Sequence, residues 1–176
     1  MQAICDYVHH RIVFGYEHAR PTRTAWDAFT ERLGVCRDYA HLAVTFCRCV
    51  NIPARYCTGY LGDIGMPPPY GPMDFAAWFE VYLDNAWHTF DARNNTPRIG
   101  RILLARGRDA TDVAIATTFG PCTLAGFRVI TDEITTQPMG GWSGASHDDA
   151  PSIADVPGGP ASLAQALSDD RGRPIG

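Results

Sequence analysis

Six cysteines punctuate this 176-residue chain, at positions 5, 36, 47, 49, 57 and 122, and one of them stands where a thiol can do chemistry. From Cys36 the apolar residues Tyr39, Leu42, Ala43, Phe46, Cys47 and Val50 recur at helical spacing, until Asn51 and Pro53 stop the pattern. Cys36 therefore falls in the first turn of a helix, just after Gly34-Val35. Unpaired N–H groups and the helix dipole at such a place lower a thiol's pKa and can hold the oxyanion of an attacked carbonyl. A first-turn cysteine is more often inert packing, so its company decides. Two adjacent β segments follow, Phe75 to Leu83 and Ala86 to Asp91, the second ending in a carboxylate. A cysteine helix followed by such a hairpin is how a Cys-His-Asp triad is assembled, with the hairpin carrying the histidine and Asp91 orienting it.

The other chemistry-bearing residues are weighed against plainer roles. His88 is the histidine nearest in sequence to Asp91, but strand alternation puts it on the opposite face unless a bulge intervenes, so it stands as a substitute base only. His41 lies about 140° round the helix from Cys36 and reads as a packing residue. His9, His10 and His18 match no strong ligand spacing and read as exposed helix residues; no C-x-x-C pair exists either, so no metal is expected. Arg37 and Asp38 read equally as a helix-start ion pair and as a holder, through Arg37, of a thiolate or substrate carboxylate. Arg93, Arg98, Arg101, Arg106 and Arg108 read first as a solvated basic face, with an acidic peptide or carboxylate-bearing substrate as the sharper alternative.

Composition narrows the chemistry further. All 15 basic residues are arginine, which excludes a phosphate-loop lysine, a Schiff-base lysine and a lysine general base. A formal net charge of -4 argues against non-specific nucleic-acid binding. No run of 18 apolar residues exists, so no membrane span is expected. The start, Met1-Gln2-Ala3-Ile4 followed by charged and histidine residues, is unlike a secretory signal, and a cytoplasmic protein with reduced thiols is expected.

The elements that must position Cys36 and Asp91 can be read from periodicity. Residues 1–14 form an amphipathic helix; a second runs from Ala25 to Leu33, capped by Thr24 with Asp27 and ended by Gly34. Strands are expected at Ala54–Leu61, Phe75–Leu83 and Ala86–Asp91, the last two joined by an Asp84-Asn85 turn, with a Pro/Gly loop over Met66–Pro72 and a final strand at Phe127–Ile134. In Phe75–Leu83 the face with Ala76, Trp78, Glu80 and Tyr82 alternates with the face of Phe75, Ala77, Phe79, Val81 and Leu83. Trp78, Trp87, Tyr56 and Tyr60 read as packing residues that, in a cleft, could hold an extended peptide. The core domain spans 1–136, and 137–176, rich in Gly, Ser, Ala, Asp and Pro, is expected to be a flexible tail with one short helix around Ser162 to Leu167.

Four separated blocks then carry a resemblance: Gly34-Val35-Cys36-Arg37-Asp38-Tyr39-Ala40-His41-Leu42, Asn51-Ile52-Pro53-Ala54-Arg55-Tyr56, Ala77-Trp78-Phe79-Glu80-Val81-Tyr82 and Trp87-His88-Thr89-Phe90-Asp91-Ala92. In order and spacing they resemble the transglutaminase-like superfamily, in its bacterial cysteine-peptidase-like branch. The resemblance implies an α+β, papain-like fold in which a nucleophile helix packs on an antiparallel sheet. It implies cleavage of peptide or isopeptide amides through a Cys36 thioester, with no cofactor and a peptide or protein as substrate. The family nucleophile falls on Cys36 and its orienting acid on Asp91. The family histidine, which precedes an Ala-Trp pair, falls on Ala76, and alanine can neither take nor give a proton. Loss of a triad member can cost roughly 10⁶ in turnover, about 8 kcal/mol of barrier. Impaired catalysis or a rearranged active site is expected, and the alternative is a pseudoenzyme that binds a peptide or protein partner. Relatives commonly carry a β-domain before this core; here the chain opens on the first core helix, as a truncated version or a fragment would.

Overall fold

The computed structural model describes residues 1–71, 73–114, 119–121, 123, 126 and 128–134, and the expected tail with its short helix lies outside them. Three helices, α1 (Gln2–Arg11), α2 (Ala25–Glu31) and α3 (Cys36–Cys49), stand on one side of a four-stranded sheet. The sheet comprises β3 (Ala54–Leu61), β4 (Phe75–Leu83), β5 (Ala86–Phe90) and β6 (Arg101–Gly107), antiparallel throughout and ordered β5-β4-β3-β6. Two short strands, β1 (Val13–Phe14) and β2 (Leu33–Gly34), pair in parallel and tie the end of α1 to the entry of α3. The architecture is α+β, with the helix that starts at Cys36 packed on an antiparallel sheet.

The expected alternation of β4 explains the layering. Ala77, Phe79 and Val81 join the buried clusters with Ala40, Leu42, Ala43, Val44 and Cys47 of α3; Cys5 and Val8 of α1 and Ala28 of α2 close that core from outside. Phe79, Val8, Val44 and Val81 are fully buried, and each such side chain contributes about 1.5–3 kcal/mol. Exposed ion pairs contribute about 0–1 kcal/mol each, so the apolar seam sets the position of α3 on the sheet. On the other face Glu80 is buried but satisfied: Arg55 Nε donates to its Oε2 at 2.6 Å and Arg106 Nε at 2.9 Å.

Boundaries shift where local chemistry overrides periodicity. The predicted second helix stops at Glu31 because Arg32 takes a left-handed conformation (φ 61°), and Leu33–Gly34 become β2 instead of helix end and stop signal. The first helix ends at Arg11, and Val13–Phe14 turn into β1. Asp84 and Asn85 both have positive φ, 48° and 63°, the conformation that a two-residue hairpin matched to strand twist requires. The expected strand at Phe127–Ile134 is not found: residues 128–134 contain no strand, and Phe127 lies outside the described residues. The fourth strand of the sheet is β6, drawn from what the sequence presents as a basic run. Among the described residues no helix is long and apolar enough to cross a membrane.

Candidate active site

Cys36 is placed by its neighbours before its own chemistry matters. It is the first residue of α3, with Val35 in extended conformation as N-cap. Asp38, 1% exposed, reaches back so that its Oδ2 accepts from the Val35 N–H at 2.9 Å, satisfying one of the donors that open a helix. Gly34 makes this return possible: a Cβ there would lie 2.7 Å from Asp38 Cβ and Oδ2. Arg23 offsets the buried carboxylate from 3.4 Å. Arg37 turns away from the thiol and donates to the carbonyls of Arg20, Pro21 and Arg23 at 2.8, 2.9 and 3.1 Å. Its role is thus to hold the 20–23 loop to α3, rather than to hold a thiolate or a substrate carboxylate.

The thiol meets the start of β4. Cys36 Sγ donates to the Phe75 carbonyl at 3.7 Å and receives a hydrogen bond from the Ala77 backbone, so it touches the strand on both sides of Ala76. β5 pairs with β4 only from Phe79 onward, which leaves this stretch flanked by β3 alone. A cavity of about 340 Å³ opens here, and Cys36, Tyr16, Asp74, Ala76 and Arg93 are among its lining residues. The helix start does not activate the thiol as expected. Burial pushes Cys36 up to about 12, and the Asp74 carboxylate adds to the rise; Arg93 and the Ala77 hydrogen bond pull the other way without overcoming it. Asp74 is itself raised by burial, although the Phe75 N–H donates to it at 2.6 Å and Tyr16 also hydrogen-bonds to it. Arg93 stacks on the Phe14 ring at 4.3 Å.

Asp91 lies one residue past β5, whose last pair with β4 is Phe90↔Phe79, and Arg101 links it to β4: the guanidinium that donates to Asp91 lies 5.3 Å from the Trp78 ring, two residues beyond Ala76. Asp91 is 8% exposed, and its carboxylate is occupied: Oδ1 accepts from the Asn94 N–H at 2.9 Å, and Oδ2 from Asn94 Nδ2 at 2.7 Å and Arg101 Nη2 at 2.9 Å. It lines a second cavity of about 370 Å³, and Arg98 lines both. Cys36 and Ala76 are therefore brought together on one cavity, while Asp91 lines the other. His88 is not brought to them: it pairs with Val81 in register and is exposed on β5.

Several other expectations are corrected. His9 is half-buried, and its Nδ1 donates to the carbonyls of Ala92 and Arg93 at 3.1 and 3.0 Å, fastening α1 to the turn after Asp91. His41 is half-buried, and its Nδ1 has no partner among the described residues; burial, then Arg37, lowers its pKa. Four arginines of the basic run are ion-paired, Arg98 with Asp63, Arg101 with Asp91, Arg106 with Glu80 and Arg108 with Asp112; Arg106 and Arg108 stay exposed as a solvated face would, whereas Arg98 and Arg101 are largely buried. Trp78 and Tyr56 are buried as expected, whereas Trp87 is 42% exposed, with Arg55 stacked on it. Tyr16 and Asp74 escaped the sequence reading as site residues, and Arg93 entered it only within the basic run, not as a neighbour of Cys36. The available signal was proximity: Asp74 lies two residues before Ala76, and Arg93 two after Asp91. No cluster able to hold a metal is found among the described residues.

Comparison with known proteins agrees with this geometry. The pattern of the transglutaminase-like superfamily matches residues 1–92, which include Cys36, Ala76 and Asp91. An uncharacterized protein of Mycobacterium leprae is 34% identical over 92 residues, covering 50% of this chain and 32% of the relative. The crystal structure of a candidate cysteine protease from Cytophaga hutchinsonii is 42% identical and superimposes with a TM-score of 0.60 over 67% of this chain and 39% of that one. The chain thus spans about a third of the length of each of these bacterial relatives. A nucleophile-type cysteine at a helix start, packed on an antiparallel sheet, and a family match over half the chain lead to one conclusion: this chain belongs to the transglutaminase-like superfamily.

Proposed function

We propose that the chain carries the peptide-amide site of a cysteine hydrolase, with Cys36 as the thioester-forming residue and with turnover impaired by alanine at position 76. The observation that carries this reading is the contact of the Cys36 thiol with the β4 backbone on both sides of Ala76, at the wall of a cavity that a peptide segment can enter. In this reaction Sγ adds to an amide carbonyl, the amine leaves and water resolves the thioester. Asp91, which directly follows β5 and pairs with the Arg101 that stacks on Trp78, is the acid available to orient a base presented from position 76. A positioned general base contributes about 10²–10⁴-fold, and nothing at Ala76 supplies one. The Cytophaga relative, described only as a candidate cysteine protease, favours hydrolysis over amine transfer.

A second reading, a pseudoenzyme that binds a peptide or protein partner, is favoured by one observation: the position beside Cys36 on the cavity wall that would carry a base holds alanine. Ala76→His separates the two. On labelled casein the variant is expected to gain about 10²–10⁴-fold over the parent chain. A variant with an unchanged circular dichroism spectrum and no gain would sink the hydrolase reading and leave the binding one.

A further inference from the structure

The second cavity, of about 370 Å³, lies between the start of α1, the end of β5 and the 95–101 segment. Its lining combines the exposed Thr89 and Thr96 with the side chains of Arg98 and Arg101, which are only 9% and 14% exposed. Most of its polar groups are spent on one another. Gln2 Nε2 and Asn95 Nδ2 both donate to Asp6 Oδ1, at 2.8 and 2.9 Å. Asp91 accepts from Asn94 and from Arg101 Nη2. Arg98 Nη2 donates to the Gly62 carbonyl at 3.0 Å and to Asp63 Oδ1 at 2.9 Å. Two donors are left over. Arg98 Nε and Arg101 Nη1 are buried and have no hydrogen-bond partner among the described residues. An unmade hydrogen bond on a buried cation carries the full cost of its lost water, so a guest that relieves it must bring acceptor oxygens. Each guanidinium already faces one carboxylate, Asp63 or Asp91, so the four groups together are neutral. A monoanion with two oxygens in one plane suits the two leftover donors. A phosphate dianion would set two further negative charges beside Asp91.

We propose that the second cavity binds a carboxylate of the peptide substrate, a C-terminus or an acidic side chain, through Arg98 Nε and Arg101 Nη1. The role in substrate choice rests on the reading that the Cys36 cavity takes the scissile amide. Arg98 lines both cavities, so one peptide can lie across it with its amide beside the thiol and its carboxylate in the second cavity. The chain then selects acidic peptides by filling donors that a neutral peptide leaves empty, and a peptide lacking the carboxylate pays for two buried N–H groups without acceptors. The apolar part of the lining, Cys5 and Phe90, takes the carbon stem that carries the carboxylate.

The test uses N-acetylglycine as the probe, with N-acetylglycinamide as its uncharged match, inorganic phosphate as the dianion and N-acetylglutamic acid α-amide as the side-chain form of the same carboxylate. Binding to the full chain is followed in ¹H–¹⁵N spectra through the arginine Nε–H signals. N-acetylglycine or the glutamate amide should shift the Arg98 signal saturably and bind about 10-fold or more tightly than N-acetylglycinamide; the tighter of the two acids identifies the source of the carboxylate. Arg98→Lys keeps a cation for Asp63 but lacks the Nε–H donor, and should weaken the acid about 10-fold, read by calorimetry. Equal binding of acid and amide, or phosphate bound more tightly than both acids, would overturn the site on the parent chain alone, without any variant. Affinity unchanged in folded Arg98→Lys would overturn it as well. In the Ala76→His chain, one peptide made with a free C-terminus or with a C-terminal amide, and with glutamate or glutamine before it, should show a KM about 10-fold lower for the acid form. Equal KM across all these forms would overturn the role in substrate choice. Saturable binding of N-acetylglycine with no cleavage of any peptide by Ala76→His would support the carboxylate site and remove the hydrolase reading instead.

Discussion

At the residue scale, a helix start and a buried environment compete for the Cys36 proton, and burial wins. The helix dipole is worth a fraction of a kcal/mol to about 2 kcal/mol. The rise from 9.0 to about 12 is larger than that, and Asp74 adds to it. Alkylation of Cys36 should therefore climb about ten-fold per pH unit from pH 7 to 11, without levelling off near 8.5. A plateau at neutral pH in a pH–rate profile would contradict the raised thiol and point to an activating partner. Arg93→Gln should slow alkylation further at a given pH, since the Arg93 charge is the leading influence that holds the thiol down. The candidate site is partly legible in the amino-acid sequence. Cys36 and Asp91 can be picked out because one opens a helical period and the other ends a strand. Tyr16 and Asp74 cannot, because 20 and 38 residues of chain separate them from Cys36 and only tertiary packing closes those gaps. The activating effect expected at Cys36 fails for the same reason: helix position is visible in a sequence, and desolvation is not.

At the element scale, the junction of β3 with β6 is the tightest feature of the sheet. The pairing shifts register between Thr58 and Gly59, and a Cβ on Gly59 would lie 2.0 Å from the Ile102 carbonyl oxygen and 2.8 Å from the Trp78 ring. Neither partner can yield easily, one being backbone and the other a buried indole. Gly59→Ala should destabilise the fold by about 2–3 kcal/mol, seen as a lower urea midpoint; an unchanged midpoint would mean that β6 is not held against β3 there. Asp38→Ala tests the other end of the site. It frees the Val35 N–H and leaves Arg23, 5% exposed, with Glu31 and the His18 carbonyl as its remaining partners among the described residues, so a loss of about 3 kcal/mol is expected. Asp38→Asn, which keeps an acceptor for Val35, should lose less. Legibility again follows physics. The helix from Cys36 and the alternating Phe75–Leu83 strand are readable because each buries one regular stripe. The β6 strand is not, since in Arg101–Gly107 the exposed positions are Ile102, Leu104 and Arg106, and apolar residues stand on both sides of the alternation.

At the scale of the whole molecule, the absence of lysine gives the fold an unusual alkaline titration. With arginine fixed in its charged form, cysteine and tyrosine are the side chains left to titrate between pH 8 and 12. Their shifts share one sign. Burial raises Cys5 and Cys47 to about 11 and Cys57 and Cys36 to about 12, and Tyr39 and Tyr56 also rise. Above pH 9 the unfolded chain therefore releases thiol protons that the folded chain retains. The native state then binds more protons than the unfolded one, and stability falls as pH rises through the window from 9 to about 12. Each such thiol contributes a slope of up to about 1.4 kcal/mol per pH unit inside that window and almost none below it. Melting temperature should accordingly be nearly flat from pH 7 to 8 and drop steeply from 9 to 11. Cys47→Ala gives the control. It should lower the melting temperature at pH 7 through lost packing in the α3 core, yet show a shallower drop between pH 9 and 11, because one titrating thiol is gone. Parallel curves for the variant and the parent chain would assign the alkaline loss to some other group, and a melting temperature that rises above pH 9 would reverse the sign argued for the buried thiols.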